Sequence, residues 1–222
     1  MKWRKLGNWL PQIPGFTHAA LPVYRHGWVY FTSRDHQNRS HVFRVVFDPK
    51  TGPRGEPVEV LRPGEAGSFC DAGVMSSWFH ENNFYVTGWN RGVDVRFRNS
   101  IGVAHCDDGE PLLALGPVLD RSYLNLSLVA SPCVVVHGTN LRMYHVRCNR
   151  WKPVHGALNP VYSIARADSK DGLNWTPAPG FCIPLRAEEH AIARPCVIYD
   201  DVLQMWYSYR GKAYRIGYAE SA

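Results

Sequence analysis

The sequence lacks the features of membrane, secreted and zinc-binding proteins. The segment from Met1 to Pro11 carries basic side chains but no apolar run of about 7 to 15 residues, so we expect neither a signal peptide nor a membrane anchor. The six cysteines include no C-x-x-C pair and no Cys–His cluster at zinc spacing. We therefore expect a reducing, cytoplasmic setting and no metal or cofactor.

Helical periodicity and concentrated charge are also missing. No window sustains an apolar repeat of about 3.6 residues, so we predict no helix. The formal net charge is +6, from 25 Lys and Arg against 19 Asp and Glu. Because most of the basic residues are scattered along the chain, they are typical of a solvated surface, and we expect no nucleic-acid partner.

What the sequence does contain is one pattern written twice. The matched pairs are Ser-Pro-Cys-Val at 131–134 with Arg-Pro-Cys-Val at 194–197, Leu-Arg-Met-Tyr at 141–144 with Leu-Gln-Met-Trp at 203–206, and Tyr-Ser-Ile-Ala at 162–165 with Tyr-Arg-Ile-Gly at 214–217. Cys133 and Cys196 hold the same place in the two copies, so we expect both to be small, buried core residues.

Each copy is built from short β-branched or aromatic segments bounded by Gly, Pro, Asn or Asp, which predict strands. Units of three to four strands that repeat at roughly 50 to 60 residues are typical of β-propeller blades. We predict one all-β propeller domain over 1–222. Its first 16 residues form a lead-in, and we expect Trp3, Trp9 and Leu10 of this lead-in to pack against the body of the fold. Its blades are expected at about 17–63, 67–115, 124–179 and 188–222.

The third unit ends in an S-x-D-G-x-x-W stretch, where Asp171-Gly172 predicts a hairpin turn and Trp175 a residue packed beside the blade. Aligned on this unit, the fourth stops just before the corresponding turn. We therefore expect the last blade to be incomplete and the chain to be a shortened form of a longer protein, unless a four-bladed ring closes on itself.

Five stretches carry a family resemblance: 67–73, 88–90, 171–175, 189–195 and 214–221. Together they resemble the five-bladed propeller glycosidases, the superfamily of glycoside hydrolase families 43, 32, 62 and 130, and most closely an uncharacterised group similar to family 43. The resemblance implies a five-bladed fold with about four blades present in this chain. It also implies a funnel at the propeller axis where carboxylates from different blades meet a sugar.

Glycoside hydrolysis needs an acid that protonates the leaving oxygen and a base or nucleophile on the other face of the sugar ring. The resemblance implies Asp71 and Glu189 as the catalytic pair, with Glu189 as the acid and Asp71 positioning the sugar or tuning that acid. The residues expected to bind the sugar are His18, Arg34, Asp35, Trp89, Asn90, Tyr162, Arg194 and Arg210.

Each of these binding residues also has a structural interpretation. The arginines suit a carboxylate or phosphate, which a guanidinium holds bidentately, but they equally suit salt bridges inside the fold. Aromatic rings and amides suit sugar faces and hydroxyls, but tryptophans in propellers also pack between blades.

The sequence departs from family 43 in the first blade, where Thr17-His18-Ala19 stands in place of the Asp that normally acts as base. Asp35 is a substitute that lies after the second strand, and Cys70 stands where the closer group carries a second Asp. Three functions therefore stay open. They are a glycosidase that hydrolyses or transfers a glycosidic bond, a non-catalytic propeller that binds a carbohydrate or sugar phosphate, and a protein-interaction propeller.

Overall fold

The computed structural model describes residues 7, 9–106, 113–154 and 156–221. Within these ranges the regular structure consists of strands and no helix, as the missing helical period predicted. The described part of the chain accordingly offers no helix long and apolar enough to cross a membrane. The strands are β1 (Thr17–Arg25), β2 (Trp28–Arg34), β3 (Ser40–Asp48), β4 (Gly52–Leu61), β5 (Gly73–His80), β6 (Asn83–Arg91), β7 (Phe97–His105), β8 (Leu113–Leu119), β9 (Leu128–His137), β10 (Asn140–Val154), β11 (Ala157–Ser169), β12 (Thr176–Pro177), β13 (Ala191–Asp200), β14 (Val202–Arg210) and β15 (Tyr214–Ser221).

The strands fall into four antiparallel groups, which we call units 1 to 4. Unit 1 contains β1–β4, unit 2 β5–β8, unit 3 β9–β12 and unit 4 β13–β15. A parallel bridge between Ser40 and Gly73 joins units 1 and 2 into one sheet, and a parallel bridge between Tyr162 and Ala191 joins units 3 and 4 into another. Each unit is therefore a local meander, as its short, turn-bounded segments predicted.

We call the first strand of each unit its inner strand, and the inner strands of units 1, 3 and 4 share one irregularity. Leu21, Ser131 and Arg194 each precede a proline and have positive φ angles of 59°, 49° and 56°. The pairing register shifts at each of these sites. Proline donates no ladder hydrogen bond, so it fits a β-bulge, where pairing is interrupted anyway. The repeated X-Pro step is thus a repeated bulge in the first strand of a unit.

The core lies between successive units. In each unit an aromatic residue of the second strand and a β-branched residue of the third strand stand at matching register positions. In units 1 to 3 these pairs are buried against the next unit: Tyr30 and Val42, Tyr85 and Ile101, and Tyr144 and Ile164. The matching pair in unit 4 is Trp206 and Ile216, which are 39% and 81% exposed. Unit 4 therefore presents to solvent the face that the other units bury.

The lead-in packs on the other face of unit 1. Leu10, Ile13 and Phe16 contact the buried cluster that includes Phe31, and the ring of Trp9 lies 5.5 Å from that of Phe47. This packing confirms the expectation for Leu10 and Trp9. Trp3 lies outside the described residues.

The two matched cysteines have different environments. Cys133 is fully buried between units 3 and 4, as expected, but Cys196 is exposed. The expectation for Cys196 was wrong because this residue pairs with Trp206 on the outward face of unit 4, which no described residue covers.

The turn predicted at Asp171-Gly172 is present. Gly172 has a φ of +74°, and its carbonyl accepts hydrogen bonds from the Trp175 indole N–H and the Tyr85 hydroxyl, both at 2.9 Å. Trp175 is buried in the cluster between units 2 and 3. The turn therefore fixes the contact between these two units.

Candidate functional site

One backbone hydrogen bond repeats where the inner strands of three units begin. Ala72 donates its N–H to Trp89, Ser127 to Cys148, and His190 to Arg210, each at 3.1 Å. We call this end of the units the rim. Asp71 directly precedes Ala72 and Glu189 directly precedes His190. The two predicted catalytic carboxylates therefore hold the same rim position in units 2 and 4.

Asp71 and Asn90, both predicted for the site, are in direct contact. The Asn90 side-chain amide donates to Asp71 Oδ1 at 2.6 Å and to the Ser68 carbonyl at 2.7 Å. The Gly67 N–H donates to Asp71 Oδ2 at 3.2 Å. Both carboxylate oxygens thus accept hydrogen bonds, which fixes the orientation of this half-buried group. The two residues are 19 positions apart in sequence.

Arg34 and Trp89 meet at the same junction of units 1 and 2. The Arg34 guanidinium lies 5.7 Å from the centre of the Trp89 ring and donates to Asn38 Oδ1 at 2.9 Å. The Trp89 indole N–H donates to Ser40 Oγ at 3.1 Å, and only 9% of this residue is exposed. Gly73 is required here because its φ is +142° and a Cβ would collide with the Ser40 backbone. Trp89 therefore packs between two units.

A second group of side chains gathers where units 3 and 4 meet. Tyr162 bridges to Ala191, which pairs with Arg210, which in turn pairs with Tyr214. The Arg210 guanidinium donates to the Tyr214 hydroxyl at 3.3 Å and lies 4.9 Å from the centre of its ring. Burial raises the pKa of Tyr162, Tyr214 adds to this rise, and the positive charges of Arg210 and Arg194 oppose it. Strand register thus places Tyr162 and Arg210 in one row, and Tyr162 packs in one cluster with Ala193, the residue before Arg194.

Sequence reasoning missed Tyr214. The signal that identifies it is the match between 162–165 and 214–217, which places a tyrosine at the corresponding position of the third strand in both units.

Arg194 lies at the bulge of β13. Its side chain is accessible to solvent, yet desolvation by the surrounding protein lowers the pKa of its guanidinium, and only Tyr162 opposes this shift. The positive φ at the bulge places Arg194 away from the regular ladder.

Glu189 belongs to a pocket of about 400 Å³ at the rim of unit 4. One of its oxygens, Oε2, accepts the Arg186 N–H at 2.9 Å. The other charged and aromatic residues of this pocket include Tyr209, Lys212 and Arg215. Tyr162 lines a different pocket, of about 320 Å³, together with Arg150 and Phe181.

Asp35 is engaged in its own turn and forms no described contact with Asp71 or Glu189. It accepts the backbone N–H groups of Gln37 and Arg39 at 2.9 and 2.8 Å, pairs with the Arg39 guanidinium at 2.8 Å, and lies 3.3 Å from His41 Nε2. Burial by itself raises the pKa of Asp35, but the hydrogen bonds from Arg39 and His41 outweigh it and lower the pKa to about 2. Asp35 is therefore a carboxylate that organises a loop.

His18 is exposed, has a φ of +71°, and accepts the Ser33 hydroxyl on its carbonyl at 2.7 Å. Its ring has no described contact with the other predicted residues. Another pocket, of about 530 Å³, contains none of the predicted site residues and includes Arg142, Tyr144 and Cys182. In the described ranges, no three His, Cys, Asp or Glu side chains are arranged to hold a metal.

Solved structures with the same fold are glycoside hydrolase propeller enzymes. A complex of BT0996 with RGII is 14% identical with a TM-score of 0.64, and the match covers 92% of this protein and 68% of BT0996. The α-L-arabinanase of Cellvibrio cellulosa is 12% identical with a TM-score of 0.64, covering 92% and 74%. The α-L-arabinofuranosidase of Lactobacillus brevis is 15% identical with a TM-score of 0.63, covering 90% and 67%. At these identities the likeness shows the fold, which is a glycosidase-like propeller.

Sequence relatives identify the family of the chain. No protein-family model matches the chain. Two proteins of Mycobacterium tuberculosis, "Uncharacterized protein MT1551" and "Uncharacterized protein Rv1502", are 34% and 33% identical to it over 245 residues. The match spans 100% of this chain and 80% of each relative. The chain belongs to the family of these mycobacterial proteins.

Proposed function

We propose that the protein hydrolyses or transfers a glycosidic bond in a carbohydrate. The observation that carries the proposal is the matching rim position of Asp71 and Glu189, in a fold shared with glycoside hydrolases. Two carboxylates contributed by different units are the chemistry that glycosidic-bond cleavage requires.

The surroundings of the two carboxylates support different roles. Both oxygens of Asp71 accept hydrogen bonds, which suits a fixed anion that positions a sugar hydroxyl. In Glu189 the Arg186 N–H holds Oε2, and no described group bonds Oε1. We assign Oε1 to proton transfer, because a general acid needs one oxygen free to reach the leaving group.

Turnover of aryl glycosides and oligosaccharides by the purified full-length protein tests this proposal. We expect Glu189→Gln to lower the rate by roughly 100- to 10,000-fold, the usual contribution of a general acid. The matched control is Glu56→Gln, which removes an exposed carboxylate from β4 and leaves the rate unchanged. The proposal is abandoned if no member of the panel is turned over and Glu189→Gln leaves ligand binding intact.

The arrangement of unit 1 supports a second function, non-catalytic binding of a carbohydrate or sugar phosphate. Thr17 and His18 occupy the start of its inner strand, and Asp35 is occupied by its own turn. Where its inner strand begins, unit 1 therefore offers no described carboxylate free to act as base. A sugar that binds equally well to the wild type and to Glu189→Gln, without turnover in either, identifies this function.

We also propose that units 1 to 4 are propeller blades and that a further β unit covers the outward face of unit 4. The exposure of Ile216 supports this, because the residues at the equivalent position of units 1 to 3, Val42, Ile101 and Ile164, are fully buried. Amide hydrogen exchange in the longer relative Rv1502 is the test. The strand that matches β15 exchanges as slowly as the strand that matches β11 if another unit covers it, and much faster if none does.

A cytoplasmic location likewise remains a proposal. All six cysteines are free thiols, which supports a reducing compartment.

A further inference from the structure

Two arginines beside Tyr162 have no carboxylate partner. Among the described residues, Arg194 makes no hydrogen bond or ion pair, and the side chain of Arg210 bonds to the Tyr214 hydroxyl. Other arginines of the fold are neutralised, as Arg142 is by Asp168 at 2.8 Å. The junction of units 3 and 4 therefore holds two positive charges that the described protein does not balance.

The backbone explains why these groups converge. Tyr162, Ala191, Arg210 and Tyr214 form one row across four neighbouring strands, closed by hydrogen bonds from Tyr162 N–H to the His190 carbonyl at 3.2 Å and from His190 N–H to the Arg210 carbonyl at 3.1 Å. Directly opposed residues of an antiparallel pair share a face of the sheet, so Arg210 and Tyr214 lie side by side.

Arg194 joins this row from the bulge of β13. Tyr162 packs in one cluster with Ala193, which directly precedes Arg194, and the exposed Arg194 guanidinium has no counter-charge among the described residues. A guanidinium without a protein counter-charge is available to pair with an anionic ligand. The same rim holds Glu189, directly before His190.

We propose that Arg194 and Arg210, with the hydroxyls of Tyr162 and Tyr214, form a subsite for the anionic group of a sugar, either the carboxylate of a uronic acid or a phosphate ester. This inference rests on the proposed function, because it names the class of carbohydrate that the rim accepts. Guanidinium groups hold both anions through paired charge-assisted hydrogen bonds. A neutral sugar leaves both charges unpaired and is bound less tightly.

Isothermal titration calorimetry with matched sugars tests the subsite. The probes are D-galacturonic acid against D-galactose, glucose 6-phosphate against glucose, and inorganic phosphate alone. We expect at least one anionic sugar to bind more tightly than its neutral parent, with an affinity that falls as salt rises. Arg194→Gln and Arg210→Gln weaken that binding by roughly 10- to 100-fold, as loss of a charge-assisted contact does.

Arg54→Gln is the charge-matched control. Arg54 is 60% exposed and pairs with Asp48 at 3.1 Å on an outer turn, so its loss changes the net charge equally and leaves sugar affinity unchanged. Arg194→Lys retains the charge but not the planar fork, and we expect an affinity between those of the wild type and Arg194→Gln. Circular dichroism verifies that every variant is folded.

The outcomes separate this inference from the function on which it rests. Equal binding of neutral and anionic sugars, unaffected by either glutamine variant, overturns the subsite and leaves carbohydrate binding standing. Phosphate binding that depends on Arg194, with no sugar bound, supports the anion site and contradicts the carbohydrate function. Binding of no probe at all overturns the subsite.

Discussion

Two isoleucines occupy matching positions in units 3 and 4. Replacing each of them in turn measures how much the contact with a neighbouring unit stabilises the fold. Ile164 and Ile216 pair with Val146 and Ser208 at the same register position of units 3 and 4. Ile164 is 0% exposed and packs against unit 4, whereas Ile216 is 81% exposed. Replacing each with alanine removes the same atoms from a buried and an exposed environment.

The expected effects differ several-fold. Truncation of a buried isoleucine to alanine costs about 2 to 5 kcal/mol, because transfer free energy is lost and a cavity is left. Truncation at an exposed position costs about 0.5 kcal/mol or less. We therefore expect Ile164→Ala to lower the free energy of unfolding by at least about 2 kcal/mol, which is roughly a 30-fold change in the folding equilibrium constant.

Urea unfolding followed by circular dichroism gives both values, provided that the slope of the free energy of unfolding against urea concentration is the same in every variant. Val42→Ala in unit 1, at the equivalent buried position, is the positive control. An Ile216→Ala cost as large as that of Ile164→Ala refutes the reasoning, because it shows that the outward face of unit 4 is already covered in solution.

Three further predictions concern single residues. Asp35→Asn is expected to lower the free energy of unfolding at neutral pH, because the folded state lowers the pKa of Asp35 from its usual 3.8 to about 2. The extra stability of the wild type is complete above about pH 4 and is lost as the pH falls through about 2. Acid-unfolding curves that run parallel for the two proteins contradict this prediction. Gly73→Ala is expected to lower the thermal midpoint by more than about 2 °C, equivalent to at least about 1 kcal/mol, because its φ is +142° and the Ser40 backbone blocks a Cβ. Gly116→Ala, with open space around it, is expected to have little effect. Dithionitrobenzoate is expected to modify Cys182 and Cys196 in the native protein and all six cysteines after unfolding, and rapid modification of Cys133, whose pKa burial raises to about 12, contradicts the structure.

Local sequence patterns were sufficient to predict the β units. The Ser-Pro-Cys-Val and Arg-Pro-Cys-Val copies mark the same bulge in β9 and β13, because proline restricts where a strand can pair. The Asp171-Gly172 turn followed from its need for positive φ. Such features depend on a few neighbouring residues and are therefore visible in the sequence.

The burial and contacts of residues that depend on other units could not be predicted from the sequence. Cys133 and Cys196 hold the same sequence position, yet only Cys133 has a neighbouring unit to bury it. Asp35 follows a strand as a binding residue would, but Arg39 and His41 occupy its oxygens. The contact between Asp71 and Asn90 arises from strand register, which no local pattern records.

The central claim is that Asp71 and Glu189 act on one sugar. A crystal structure of the protein with an oligosaccharide from the turnover or binding panel tests it most directly. We expect both carboxyl groups to lie within hydrogen-bonding or water-bridged reach of the same sugar, about 5 to 10 Å from each other. A sugar bound away from the rim, or in contact with neither carboxyl group, contradicts the claim.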